Sequence, residues 1–429
     1  MIMDSHLADL RKQRADGPFL RPDYGRECFD QIPGIIAPLL GVPQHKNSLA
    51  YAVTRQSSPA QNVVVLLIDG FGYNSWLKYC EDFPFMRAMT ERGCVMPITS
   101  LFPSTTAASL TCVNSGLTPQ QHGLVEWRLY MDELGYPIFT LPFTSPAMRE
   151  APDWLLSQQV NPNILFDGRT IQEGLVASGV GCFSFLHKNY ATSAYSNLTH
   201  KGSSMVAYDS VADMAVKVRQ RLESAKGRTY CFVYYDAVDA VAHKYGPHSG
   251  EYVAEVSGLM HLLQTELVEK LHGDAAKQTM LVATADHGHV PMDPTKVTYI
   301  FETAKEQRCL AKMRDGRPIM PWGSPRDLFL RVREEVLQET VSQLADRLAG
   351  KADVRSSRHE ANRGLFGRGE EHPKFRDRIG NVLILPYEGE AVAWLDPAVG
   401  KTTKRGMHGG MSHEEMLTQI AFANLAELK

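Results

Sequence analysis

Apolar residues in this chain gather into short, nearly unbroken runs instead of alternating with polar ones. Val63–Ile68, Val180–Phe185, Tyr230–Tyr235 and Met280–Ala283 are the clearest. Runs of this length without alternation predict strands buried on both faces. Helical patterns lie between them: "TIQEGLVASG" before the second run and "SVADMAVKVRQRLESAKG" before the third. "GEYVAEVSGLMHLLQTELVEKLHG" precedes the fourth and is expected to stop at Gly273. Buried strands alternating with helices predict an α/β fold, a mostly parallel central sheet flanked by helices.

Two regions break the rhythm. Residues 130–165, rich in Pro and aromatics ("YPIFTLPFTSPAMREAPDW"), read as a loop over one sheet edge. Residues 293–385 hold one clear helical pattern, "REEVLQETVSQLADRLAG", and read as a small α+β insertion. Residues 1–292 and 386–429 are left as the core. Internal repeats and low-complexity tracts are absent from the sequence.

The first run raises a chemical question, because "VVVLLIDGFG" ends a wholly apolar strand on Asp69. A buried carboxylate must be hydrogen-bonded, paired or bound to a cation. The same construction recurs twice. "YYDAVDAVAHKYGP" ends a strand at Asp236 and then offers Asp239 and His243, and "VATADHGHV" ends one at Asp286 and His287. In a parallel sheet these strand ends share the edge where ligands bind. Asp239 and His243 are one helical turn apart and can reach one ion. Asp286 and His287 can meet different faces of one ion or splay between two.

Carboxylate plus imidazole without thiolate suits Zn²⁺ or Mn²⁺. "GMHGGMSHEEM" supplies a further histidine. Ser412 and Glu415 form a capping box that is expected to start a final helix, which gives His413 a structural place. His408, in the glycine loop before it, is the candidate ligand. His122, His289 and Asp236 read as structural or supporting residues near the site. In "FPSTTAASL", Thr105 and Thr106 begin a small-residue helix. A hydroxyl there, at a helix N-terminus beside a cation, is a candidate nucleophile.

Composition narrows the setting. The 429 residues are 44% apolar and 22% charged, with a net charge of −3, which gives no electrostatic case for nucleic-acid or membrane-surface binding. No run is long enough to span a bilayer and no leader pattern opens the chain, so a cytoplasmic protein is expected. Seven scattered cysteines read as buried reduced thiols.

Taken together, these motifs resemble the alkaline-phosphatase superfamily, and within it the type I phosphodiesterase/nucleotide pyrophosphatase family. "LIDGFG", the Thr helix with its Gly-x-x-Pro-x-x-His-Gly segment, "DAVAHKYGP" and "ADHG" follow the family's order. The resemblance implies two divalent metal ions. Asp239, His243 and His408 would hold one, and Asp69, Asp286 and His287 the other, joined by the oxygen of Thr106. It implies in-line attack by Thr106 on a small phosphoester, a nucleotide among the possibilities, and hydrolysis of the phosphothreonine so formed. Thr105 is the alternative nucleophile.

The sequence also departs from the family. Ala107 stands where nucleotide-specific members carry an aromatic residue. Trp127, followed by Arg128, stands where they carry an asparagine on the phosphoryl oxygen. Phosphomonoesterase, phosphonate hydrolase and phosphoryl transferase chemistry on the same residues are alternatives, as is a metal-binding scaffold without activity. A sulfatase would need a Cys-x-Pro-x-Arg-like nucleophile that the chain lacks.

Overall fold

The computed structural model describes residues 4–43, 47–397 and 399–429. Its centre is a seven-stranded sheet, whose strands are numbered here in chain order: β1 (Asn62–Ile68), β2 (Cys94–Thr99), β3 (Gly181–His187), β4 (Ser204–Tyr208), β5 (Thr229–Tyr235), β6 (Thr279–Thr284) and β7 (Leu417–Asn424). They lie in the order β2-β7-β6-β1-β5-β3-β4. Five neighbours from β6 to β4 are parallel, and β7 runs antiparallel to both β6 and β2. The expected α/β fold with a mostly parallel sheet is therefore present. The four predicted strands sit at β1, β3, β5 and β6. Every residue of β1, β5 and β6 is buried, as unbroken apolar runs require.

Register places the chemistry. Ile68 pairs with Tyr235, and Leu67 with Thr284. Continuing those ladders sets Asp236 and Asp286 level with Asp69 at one sheet edge. Because β7 runs the opposite way, it begins at that same edge, so the loop before it arrives beside the other three. The expected final helix is a correction: after Ser412 only one turn forms, His413–Met416, and the chain then becomes β7. The capping box is real, but "LTQIAFAN" is buried at all but its last position, and tertiary burial overrides a local helix start. The long helix before β6 likewise stops short of Gly273. It runs Gly250–Leu262, continues as a π-helical stretch over Leu263–Glu269, and Gly273 opens a separate short helix.

The segment expected as a loop over a sheet edge contains a β-hairpin, Arg128–Met131 with Tyr136–Phe139, which leans on another sheet. Tyr130 packs on Trp322 at 5.9 Å, and Arg331 pairs with Asp132 at 2.7 Å. That second sheet is antiparallel, in the order Trp322–Ser324, Asp327–Leu330, Val382–Pro386, Ala352–Arg355. Its last long strand crosses position 385, the expected end of the insertion. Alternation decides what each face covers. Leu328, Leu330, Val382 and Ile384 pack with Leu344 of the helix Leu337–Arg347 and with Leu348 just after it. Phe329, Leu383 and Leu385 join the main core. All seven cysteines are free, six of them buried. Among the described residues no helix is long and apolar enough to cross a membrane.

Candidate active site

Of the sequence-predicted residues, Asp69, Thr106, Asp239, His243 and His408 line a cavity of about 640 Å³, and Asp286 and His287 are fully buried. Asp69 leaves β1 and the chain turns at Gly70, whose φ is +70°. A Cβ there would lie 2.8 Å from the His289 ring, so only glycine fits this turn.

One cluster surrounds His287. Its Nε2 lies 3.4 Å from Asp69 Oδ1, 3.3 Å from Asp286 Oδ2 and 3.5 Å from Thr106 Oγ1. Four ligands at about 2.0–2.1 Å from a tetrahedral ion stand about 3.3–3.4 Å apart, so these spacings match a metal's ligand shell. Each residue is anchored through its other atom. Asp69 Oδ2 accepts from the Tyr234 hydroxyl, and Asp286 Oδ1 accepts from the amides of Gly70 and His287 at 3.1 and 3.0 Å. Asp69 Oδ1 and Asp286 Oδ2 are buried with no hydrogen-bond partner. Two orphaned carboxylate oxygens aimed at one imidazole nitrogen are a donor set that a cation would satisfy.

The second cluster centres on Asp239. His243 Nε2 is 3.4 Å from Asp239 Oδ2, and His408 Nε2 is 3.5 Å from Oδ1. Both residues of the Asp239–His243 pair lie on the helix Ala237–Tyr245. The clusters adjoin, since the rings of His287 and His408 stack at 3.6 Å. All three histidines are oriented alike. Nδ1 donates to a backbone carbonyl (Gly406 O at 2.7 Å for His243, Gly288 O at 3.1 Å for His287, Ser104 O at 2.9 Å for His408), which leaves each Nε2 lone pair facing the carboxylates.

The electrostatics agree with a cation site. Burial, then repulsion from Asp286 and Asp239, pushes the Asp69 carboxyl well above its ordinary range. Burial also raises Asp286. Burial works to raise Asp239, but His243 and His289 outweigh it and hold the carboxyl well below the usual value. Burial pushes His243 down to about 3, and burial and His287 push His408 well down. His243 and His408 are therefore neutral at pH 7, as metal ligation requires.

Thr106 opens the helix Thr106–Ser115, whose residues are buried from Thr106 to Asn114. Thr105 caps that helix from the position before it, and its hydroxyl is spent on Val125 O at 3.2 Å. His122 lies outside both clusters, with Nδ1 accepting from the Leu124 amide at 3.0 Å. Asp236 lines the cavity without joining either cluster. Arg128 is committed elsewhere: its guanidinium pairs with Asp396 at 2.5 Å and lies over Trp394 at 4.7 Å. Trp127 is 44% exposed at the cavity wall.

One contributor, Tyr234, was missed in the sequence, and a second, His289, was read only as a structural or supporting residue. His289 Nε2 bonds Asp239 Oδ1 at 2.6 Å, too close for two ligands of one ion and right for a hydrogen bond that orients the carboxylate. The signal was present, because alternation across Gly288 sets His289 on the same side of the extended chain as His287. Tyr234 had no such signal, since it is one of three tyrosines in "TYCFVYY".

The family model for Type I phosphodiesterase / nucleotide pyrophosphatase matches residues 63–411. The chain belongs to that family. Among solved structures it is similar to murine ectonucleotide pyrophosphatase / phosphodiesterase 5. An inactive threonine-to-alanine variant of that protein in complex with AMP matches at 17% identity and a TM-score of 0.62, over 84% of this chain and 87% of that one. The human counterpart matches at 15% identity and a TM-score of 0.60, over the same shares. Likeness this distant shows the alkaline-phosphatase-like fold. No curated protein matches the chain. Family membership makes the chain a phosphodiesterase/nucleotide pyrophosphatase-type hydrolase, of a metal-dependent kind, and the His/Asp clusters can bind metal.

Proposed function

We propose that this hydrolase holds two divalent cations, zinc first and manganese second. Asp69, Asp286, His287 and Thr106 form one ligand set, and Asp239, His243 and His408 the other. On this reading it cleaves phosphodiesters through a phosphothreonine at Thr106. The supporting observation is the arrangement around His287 Nε2, where two orphaned carboxylate oxygens and the Thr106 hydroxyl stand at ligand-shell spacing.

Two bound cations would neutralise the phosphoryl oxygens and lower the pKa of the attacking hydroxyl. The chain's own residues do the rest. Thr106 Oγ1 stands at a helix N-terminus whose exposed amides favour an anion. It attacks phosphorus in line, the bond to the leaving oxygen breaks, and the new ester sits on Thr106. Water then attacks from the vacated side and releases the threonine. His289 fixes Asp239, and Tyr234 fixes Asp69, so neither carboxylate turns away during the two displacements.

A nucleotide is the substrate class we favour. Ala107 is buried and offers no stacking surface, but Trp127, Phe139, Tyr299 and Trp394 line the cavity and present aromatic faces. The test compares bis(p-nitrophenyl) phosphate with p-nitrophenyl phosphate on zinc-loaded protein. We expect a higher kcat/KM for the diester. A higher value for the monoester would reassign the site to phosphomonoester hydrolysis.

A further inference from the structure

We propose that the antiparallel inserted sheet is a working part of the metal centre, with Ser324, Arg326 and Asp327 as positioning residues for the loop that carries His408. The proposal rests on the metal reading above and extends it to residues outside both ligand sets.

The connection begins at Arg326, whose side chain is fully buried against Glu415. The pair is bidentate: Arg326 Nε donates to Glu415 Oε1 at 2.9 Å and a terminal nitrogen donates to Oε2 at 2.8 Å. A third nitrogen ties the guanidinium to Tyr387 O at 2.7 Å. The same carboxylate gathers the loop, accepting from the amides of Gly410 and Ser412 at 3.0 and 3.1 Å and from the Ser412 hydroxyl at 2.6 Å. One fully satisfied buried carboxylate therefore sets the path of residues 410–415.

A second contact reaches His408 itself. Ser324 Oγ lies 2.5 Å from Asp327 Oδ1 and 3.1 Å from His408 O, its single proton shared between them. The inserted sheet presses close here, since a Cβ on Gly409 would stand 2.5 Å from Asp327 Oδ1. On its other side the loop holds the nucleophile segment. Besides taking the His408 Nδ1 proton, Ser104 donates from Oγ to Gly410 O at 2.8 Å and accepts there from the Gly409 amide at 3.1 Å. Ser104 is two residues before Thr106. The path thus runs from the inserted strand through the glycine loop to one ligand and to the nucleophile.

A residue outside the ligand shell that orients a metal-binding histidine is worth about 10–100-fold in metal affinity. The test is calorimetric zinc titration of the full chain, with thermal midpoints measured alongside. The variants are Ser324→Ala and Arg326→Lys, the latter keeping charge but losing the planar fork. Arg355→Leu, which cuts the inserted sheet's part-buried pairing with Asp16, serves as the stability control. We expect wild type to bind two zinc ions. Ser324→Ala and Arg326→Lys should bind one of them about 10–100-fold more weakly and the other unchanged, with excess zinc restoring the rate. Arg355→Leu should lower the midpoint without altering either affinity. If Ser324→Ala keeps both wild-type affinities, the positioning role is overturned even where Arg326→Lys fails to fold. A wild type that takes up fewer than two ions would overturn the metal reading itself, and this proposal with it.

Discussion

Thr106→Ala will lower kcat for a diester by about 10⁴-fold or more, the order seen when a covalent nucleophile is removed, while Thr105→Ala will stay within about 10-fold of wild type. The two threonines are neighbours but differ in what their hydroxyls face. Thr105 Oγ1 donates to a backbone carbonyl 3.2 Å away, whereas Thr106 Oγ1 stands 3.5 Å from His287 Nε2 among the candidate ligands. Thr106→Ala removes one small side chain at a helix terminus, so the fold should survive and the loss should appear in turnover alone. Acid quenching with a substrate labelled on phosphorus supplies an independent readout. Label should remain on wild-type protein and be absent from Thr106→Ala. The assignment is sunk if Thr105→Ala is the inactive variant.

Asp69→Asn will separate function from stability. It removes a candidate ligand, so diester turnover should fall at least about 10³-fold. Yet the metal-free variant should be more stable than metal-free wild type at pH 8. The sign follows from the carboxyls. Asp69 is raised in the folded chain by burial and by repulsion from Asp286 and Asp239, and Asp286 by burial with Asp239 beside it. Their stabilising contribution is therefore complete below the unfolded value of 3.8 and is lost as pH rises through the folded values. Asp239 is depressed, and its contribution is lost only as pH falls below the ordinary carboxylate range. Above that range the raised pair governs, and a bound cation reverses its repulsion. Thermal midpoints of the two apoproteins at pH 5 and pH 8 check this: the variant's advantage should grow with pH. A metal-free wild type that outlasts Asp69→Asn at pH 8 would contradict the reading that these carboxylates await a cation.

Much of the site was legible because the sheet's strongest sequence signal and its chemistry share residues. Unbroken apolar runs mark β1, β5 and β6, and Asp69, Asp236 and Asp286 follow within two residues of the strand ends. His408 was legible because glycine follows it and the Ser412–Glu415 box fixes where the next turn starts. The rest depended on partners distant in sequence. β2 carries Pro97 and is tolerated at a sheet edge, where the run "CVMPIT" does not announce a strand. β4 is short and only partly buried. β7 hides behind a genuine helix start. Arg326 and Glu415 are 89 residues apart, and neither local pattern nor charge spacing connects them. The role of Arg128 was likewise decided from outside its own segment, by Asp396 and Trp394.

The most direct test of the two-metal centre is anomalous scattering at the zinc edge from crystals grown with zinc. Two peaks per chain are expected. One should lie about 2.0–2.2 Å from ligand atoms of Asp69, Asp286 and His287 and beside Thr106 Oγ1. The other should be bound by Asp239, His243 and His408, with His289 bonded to Asp239 and to neither ion. A single peak, or two peaks bound away from these side chains, would contradict it.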